Sequence, residues 1–242
     1  MINDVRNTVL SILNKDNNGY LTPEQFNLYA ASAQNEIFEQ INYDYSNSAN
    51  KRNSHLHTSG LGDVTKRLAE VINSFRHSAP LSYNPISLHY EMPSDVFSFG
   101  VISTVLGEVI EPLQQHDLLK LLSSIDTAPT SDYPVYTIHN LGSTYSNPVQ
   151  IKVYPTSIVN TGQVIADYIR YPKTPKWTYL GLTAGEPVFN QSAADYQDFE
   201  LPVSYKMDLI VKILGYSGVM IRDEDVVKSA KAEEIQEKQE QR

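Results

Sequence analysis

Cysteine is absent from the 242-residue chain, which excludes disulfide staples, thiolate metal ligands and a cysteine nucleophile. Long apolar runs are missing too. Nothing approaches the roughly 18 consecutive apolar residues of a transmembrane helix. The opening MINDVRNTVL carries an early acid and too short an apolar run for a secretion signal, so a soluble chain made and used without secretion is expected. Basic residues are few: 19 Lys and Arg stand against 28 Asp and Glu, a net charge of −9. A nonspecific nucleic-acid binder needs a positive stripe to release counterions, so that class is disfavoured. A surface that DNA slides past without being held suits the charge.

Catalytic signatures are equally missing. There is no G-x-S-x-G, no H-E-x-x-H and no Walker A sequence, and no Gly-rich phosphate loop follows an expected strand. No spacing singles out a general acid and base. The expectation is a protein that is not an enzyme, with no catalytic residues and no cofactor. Among the six His, only His55-Leu-His57 forms a close pair, and no third metal ligand is indicated. His89 alternates with Leu88 and Tyr90 and reads as an exposed residue on a strand face.

What the chain does have is a polar, tyrosine-rich character. Apolar residues make up 41 %, enough for a core in one large domain or two small ones. Sixteen Tyr stand against one Trp. Tyr buries a ring while keeping a hydroxyl for a partner, which suits wet contact surfaces and hints at an interaction protein.

The stretch NKDNNGYLTPEQF poses the sharpest question. Read as an EF-hand loop, it puts Asn14, Asp16, Asn18 and Thr22 at ligand positions 1, 3, 5 and 9, with Gly19 at the turn. The strongest ligands are missing: position 1 is Asn, position 12 is Gln25, and Glu24 falls one place early. The helical reading accounts for every residue. Asn17-Asn18-Gly19 stops one helix, Thr22 caps the next, Pro23 takes the first helical position, and Gln25 completes a capping box. No metal site is expected; a calcium-binding module built on this loop is the alternative.

Helical spacing predicts a helix over residues 3–14, capped by Asn3 or Asp4, with Val5, Val9, Ile12 and Leu13 on one face. A second covers 23–41, with Phe26, Ala30, Ala33 and Ile37 inward and Tyr29 and Phe38 widening the stripe. Residues 46–62 hold almost no large apolar side chain and read as a flexible loop. Asp63 can cap a third helix facing inward with Val64, Leu68, Val71, Ile72 and Phe75. Pro80 and Pro85 close this region. From 86 to about 190 the period changes. ISLHY, VFSFGVISTV, EVIEPL, YPVYTIHN, VQIKVYP, QVIADYIRYP and WTYLGL predict roughly six to eight short strands. One helix, Gln114 to Ser123, interrupts them, with Leu118, Leu119 and Leu122 facing in. After Pro202 a helix is predicted over 204–216 with Met207, Ile210, Val211 and Leu214, broken by Gly215 and Gly218. A last, polar helix opens at Asp223 with acids in its first turn, as the dipole prefers. Its few apolar contacts are Val226, Val227, Ala230 and Ile235, and it reads as solvated or as an arm that orders on a partner.

The expected architecture is α+β. N- and C-terminal helices form a bundle around a central, mainly antiparallel β insertion, a sheet or small sandwich. Residues 1–80 supply the first helices, 84–200 the insertion, and 203–242 the closing helix and arm.

Three segments carry a family likeness: DVRNTVLSILNKDNNGYLTPEQFNLYAASAQNEIFEQ, YPTSIVNTGQVIADYIRYPKTPKW and DFELPVSYKMDLIVKILGYSGVMIRDEDVV. The chain resembles ring or neck proteins of crAss-like tailed bacteriophages, which join the portal of the capsid to the short tail. More distantly it is similar to head-to-tail adaptors of short-tailed phages. The likeness implies a virion structural protein at the head–tail junction, made in the cytoplasm of a bacterial host. It implies docking below the portal protein, a closed, roughly twelve-fold ring of identical copies, contact with an adjacent ring or tail protein, and a share of the channel through which genomic DNA passes unheld. It implies no membrane partner. The arm at Asp223, Val226, Val227, Ala230 and Ile235 would dock on a neighbour.

Overall fold

The computed structural model describes residues 1–14, 21–53, 62–139, 149–181 and 187–221. The chain divides into two compact units: Met1–Ile72 with Pro172–Arg242, and Asn73–Tyr171.

In the first unit, α1 (Ile2–Asn14) and α2 (Pro23–Asn53) follow the expected apolar stripes. Val5, Val9, Leu13, Phe26, Ala30, Ala33, Ile37 and Phe38 are all buried, whereas Ile12 is exposed. The start of α2 carries the reciprocal bonds of a capping box. Gln25 N–H donates to Thr22 Oγ1 at 3.2 Å, and Thr22 N–H donates to Gln25 Oε1 at 3.0 Å. Helix α2 runs to Asn53 and overrides the expected loop at residues 46–53. A solvated polar sequence can stay helical with little burial, and the Ser48 hydroxyl returns to the Asp44 and Tyr45 carbonyls. Helix α3 spans Gly62–Asn73, and Val64 is exposed rather than inward. A 3₁₀ turn over Val203–Tyr205 leads into α5 (Lys206–Ile221), which continues through Gly215 and Gly218. Its buried face is Leu209, Ile210, Ile213 and Ser217, and Met207 points to solvent.

The expected terminal helix bundle is not evident. Helix α5 lies on α1 and α2, but among the described residues α3 makes no comparable contact with them. Irregular chain adds Trp177, Phe199 and Leu201 to this unit's buried apolar residues. Irregular chain must pair its backbone with something, and here side chains of the helices supply the partners. Asn27 Nδ2 donates to the Trp177 carbonyl at 3.1 Å and Asn27 Oδ1 accepts from Trp177 N–H at 2.8 Å. Two turns later on α2, the fully buried Gln34 donates to the Lys173 carbonyl at 2.8 Å and accepts from Glu200 N–H at 3.0 Å. Trp177 is 1 % exposed. Its Nε1–H donates to Asn3 Oδ1 at 3.0 Å, so Asn3 holds the indole rather than capping α1. The Arg6 guanidinium sits 3.8 Å from the indole centroid, a cation–π contact. Tyr179 and Phe189, cross-strand partners in the two-stranded ribbon β9 (Tyr179–Leu180) and β10 (Val188–Phe189), stack on the same indole at 5.7 and 5.9 Å. Asp198 accepts from Ile2 and Phe199 N–H at 2.7 and 2.8 Å and pairs with the Met1 ammonium. Burial alone would raise its pKa; these hydrogen bonds outweigh burial and hold it below the usual value.

The second unit corrects the expected sheet or small sandwich. Eight strands form one mixed, nearly closed, barrel-like sheet. They are β1 (Arg76–Pro80), β2 (Ser82–Asn84), β3 (His89–Glu91), β4 (Val96–Thr104), β5 (Val109–Pro112), β6 (Val135–His139), β7 (Gln150–Tyr154) and β8 (Val164–Arg170). Their order is β1-β8-β4-β5-β6-β7-β3-β2. The pairing of β5 with β6 is parallel and the rest are antiparallel. The two outermost strands, β1 and β2, are separated in sequence by Leu81 alone, so the ends of the sheet cannot diverge. Leu81 ties them to the β8 side: its N–H donates to the Val164 carbonyl at 2.8 Å, and its carbonyl accepts from Gly162 N–H at 3.1 Å. Helix α4 (Gln115–Leu122) links β5 to β6; it buries Leu118 but leaves Leu119 and Leu122 exposed, against expectation.

Eight strands enclose a space that side chains can just fill. The interior holds Leu81, Tyr90, Met92, Ile102, Ile110, Tyr136, Ile151, Val153, Val164, Ala166 and Tyr168. Burial, with Tyr83 adding to it, pushes the Tyr90 phenol up to about 12, and burial raises Tyr136 as well. On β4 the register slips between Phe99 and Ile102 against β8. Within that bulge a Cβ on Gly100 would lie 2.7 Å from the Asp167 carbonyl oxygen, so only glycine fits.

Candidate interaction surface

The barrel unit builds stiff turns and mounts large aliphatic side chains on them. Residues 86–88, expected to be strand, form the turn between β2 and β3. Asn84 Oδ1 accepts from Ile86 N–H at 3.0 Å and Ser87 N–H at 3.4 Å, its carbonyl accepts from Leu88 N–H at 2.9 Å, and its Nδ2 donates to Glu91 Oε1 at 3.0 Å. Leu88 takes the left-handed conformation at φ 57°. This turn presents Ile86 at 94 % exposure. The β4–β5 turn is tied in the same way. Gly107, at φ 91°, donates to the Thr104 carbonyl at 2.9 Å. Thr104 Oγ1 accepts from Glu108 N–H at 3.2 Å. The tip presents Leu106 at 86 % exposure, with Val105 and Val109 also exposed. Beyond α4, Ile125 is 95 % exposed. Scattered exposed apolar residues are ordinary. Side chains this bare, on turns fixed by their own hydrogen bonds, suit contacts to a partner that require little ordering on docking.

A polar cluster lies on β6, β7 and β3, on the face opposite the core. Strand β7 runs between the other two and pairs Gln150 with both His139 and Glu91. The His89 and His139 rings meet edge-on at 5.0 Å between centroids and 70° between planes. The Thr137 hydroxyl is 3.0 Å from His139 Nε2. Burial first, then His89 and Lys152, lowers the His139 pKa below the usual histidine value. Ser87 Oγ, His89 Nδ1 and Gln150 Oε1 are buried atoms without a hydrogen-bond partner. His89 is therefore half-buried against a second imidazole, not the exposed strand residue expected. No local pattern could have exposed this pair, because it is the strand order that brings the two residues together.

The sequence-derived candidates fare unevenly. Asn14 ends α1, and Thr22 caps α2 as described. Asp16 and Asn18 lie outside the described residues, as do Asp223, Val226, Val227, Ala230 and Ile235 of the expected arm and the pair His55 and His57. Among the described residues no helix is long and apolar enough to cross a membrane. No protein-family model matches the chain, and no curated protein matches it significantly.

Proposed function

We propose that the protein is a virion structural component: a ring-forming head–tail connector that docks below the portal and contributes to the DNA channel. The observation that carries this reading is the pairing of a filled barrel with bare aliphatic turns. The interior is occupied by the chain's own Tyr, Ile and Val side chains, while Ile86, Leu106 and Ile125 stand in water. Such a molecule offers contacts on its outside rather than a chamber for turnover. The sequence likeness to ring and neck proteins supports the same reading. The net charge of −9 suits a lumen that DNA must traverse without adhering. Polar contact surfaces with mounted apolar side chains suit head-to-tail repetition around a closed cycle.

Electron microscopy of purified particles tests the proposal. The expected result is a single ring of copies at one capsid vertex, between the shell and the tail. Copies spread over the whole capsid, or none in the particle, would overturn it.

A further inference from the structure

We propose that His89 and His139 form a binding site for a borderline divalent transition-metal ion of the zinc class, with Gln150 and Ser87 supplying neutral oxygens. The inference is independent of the ring reading.

Geometry comes first. An ion bound to imidazole nitrogen at about 2.0–2.1 Å lies about 3.2 Å from the ring centre, so two rings sharing it tetrahedrally have centres about 5.2 Å apart. The observed separation is 5.0 Å. The tautomer also fits. The Thr137 hydroxyl lies 3.0 Å from His139 Nε2; in the tautomer that carries its proton on Nε2 this hydroxyl accepts it, and Nδ1 keeps its lone pair. Ligating imidazoles are oriented in this way, through a hydrogen bond at the second nitrogen. Thr137 is itself buried, so that hydrogen bond is shielded from water.

The three buried atoms that lack a partner are Ser87 Oγ, His89 Nδ1 and Gln150 Oε1. Each can offer a lone pair, and each carries a desolvation cost that a bound cation would remove. Register places Gln150 directly opposite His139, and Ser87 precedes His89 by two residues in the β2–β3 turn. Among the described residues no group of three or more His, Asp or Glu side chains converges, so affinity must come from imidazole nitrogen. That selects zinc, nickel or copper over calcium or magnesium. The opposing charge is Lys152 on β7, whose ammonium is drawn toward the Tyr154 ring at 5.4 Å.

The test is a titration of the full chain with Co²⁺, followed by visible absorption and by Zn²⁺ competition. The expected result is one ion bound with the intense bands of tetrahedral cobalt. His89→Asn and His139→Asn should each weaken binding by about tenfold or more. The double variant His55→Asn with His57→Asn should bind as tightly as the parent. Absence of the bands in the parent chain would overturn the proposal, and so would their loss in the His55/His57 variant alone. Should the barrel variants fail to fold, imidazole ¹⁵N spectra of the parent chain decide. Zn²⁺ must shift the Nδ1 resonances of His89 and His139, and unmoved resonances reject the site.

Discussion

In the unit of Met1–Ile72 and Pro172–Arg242, helices grip irregular chain by its backbone; in the unit of Asn73–Tyr171, backbone pairs with backbone. The first depends on single amides and one indole: Asn27, Gln34 and Trp177 each meet several partners. The second distributes its hydrogen bonds over seven strand pairings. Its weak points are steric, where two backbones approach too closely to admit a side chain. Irregular chain can thus be fixed by a few polar side chains and extended chain by a repeating ladder, and the two solutions are vulnerable to different substitutions.

The largest expected break in this contrast is Trp177→Ala. It removes the indole that Arg6, Asn3, Tyr179 and Phe189 surround, and should cost about 3–5 kcal/mol in chemical denaturation followed by circular dichroism. Next is Gly100→Ala in the barrel. Its new methyl meets the Asp167 carbonyl oxygen at 2.7 Å, and the expected loss is about 1–3 kcal/mol. Because Trp177 is the only tryptophan, its fluorescence reports the helical unit. The Gly100→Ala transition should therefore be clearest in the far-ultraviolet signal of the sheet. The smallest effect belongs to Thr22→Ala. Loss of the cap on α2 should cost about 1 kcal/mol and shift the tryptophan-detected midpoint alone. If Gly100→Ala and Thr22→Ala each moved both signals equally, the units would not be energetically distinct.

The strongest local signals in the sequence proved to be those with burial behind them. Apart from the exposed Ile12, the apolar stripes of α1 and α2 and the β-branched runs of β4 to β8 lie where their spacing puts them. The strands β1, Arg-His-Ser-Ala-Pro, and β2, Ser-Tyr-Asn, are mostly exposed or half-buried, so they lack the alternation that marks a strand. Pro80 and Pro85 read as breakers, yet Pro80 ends β1 as a strand terminus permits. The second half of α2 was hidden for the converse reason: a solvated helix needs no apolar face, and its sequence resembles loop. Leu88 alternates correctly with Tyr90 but its N–H is held by the Asn84 carbonyl, in a turn that the Asn84 side chain ties at Ile86 and Ser87. The exposed turns and the histidine pair were illegible because both are products of strand order, which local patterns do not encode.

The single-residue joint at Leu81 has a consequence for how such a protein stays dispersed. Unpaired strand margins template the addition of further strands from other molecules, the route to fibrils and precipitates. Here β1 and β2 are tethered on either side of Leu81, which is itself bonded to Val164 and Gly162, and the margin open to a foreign strand is short. Copies crowded together at high concentration then find little edge on which a backbone ladder could grow without limit.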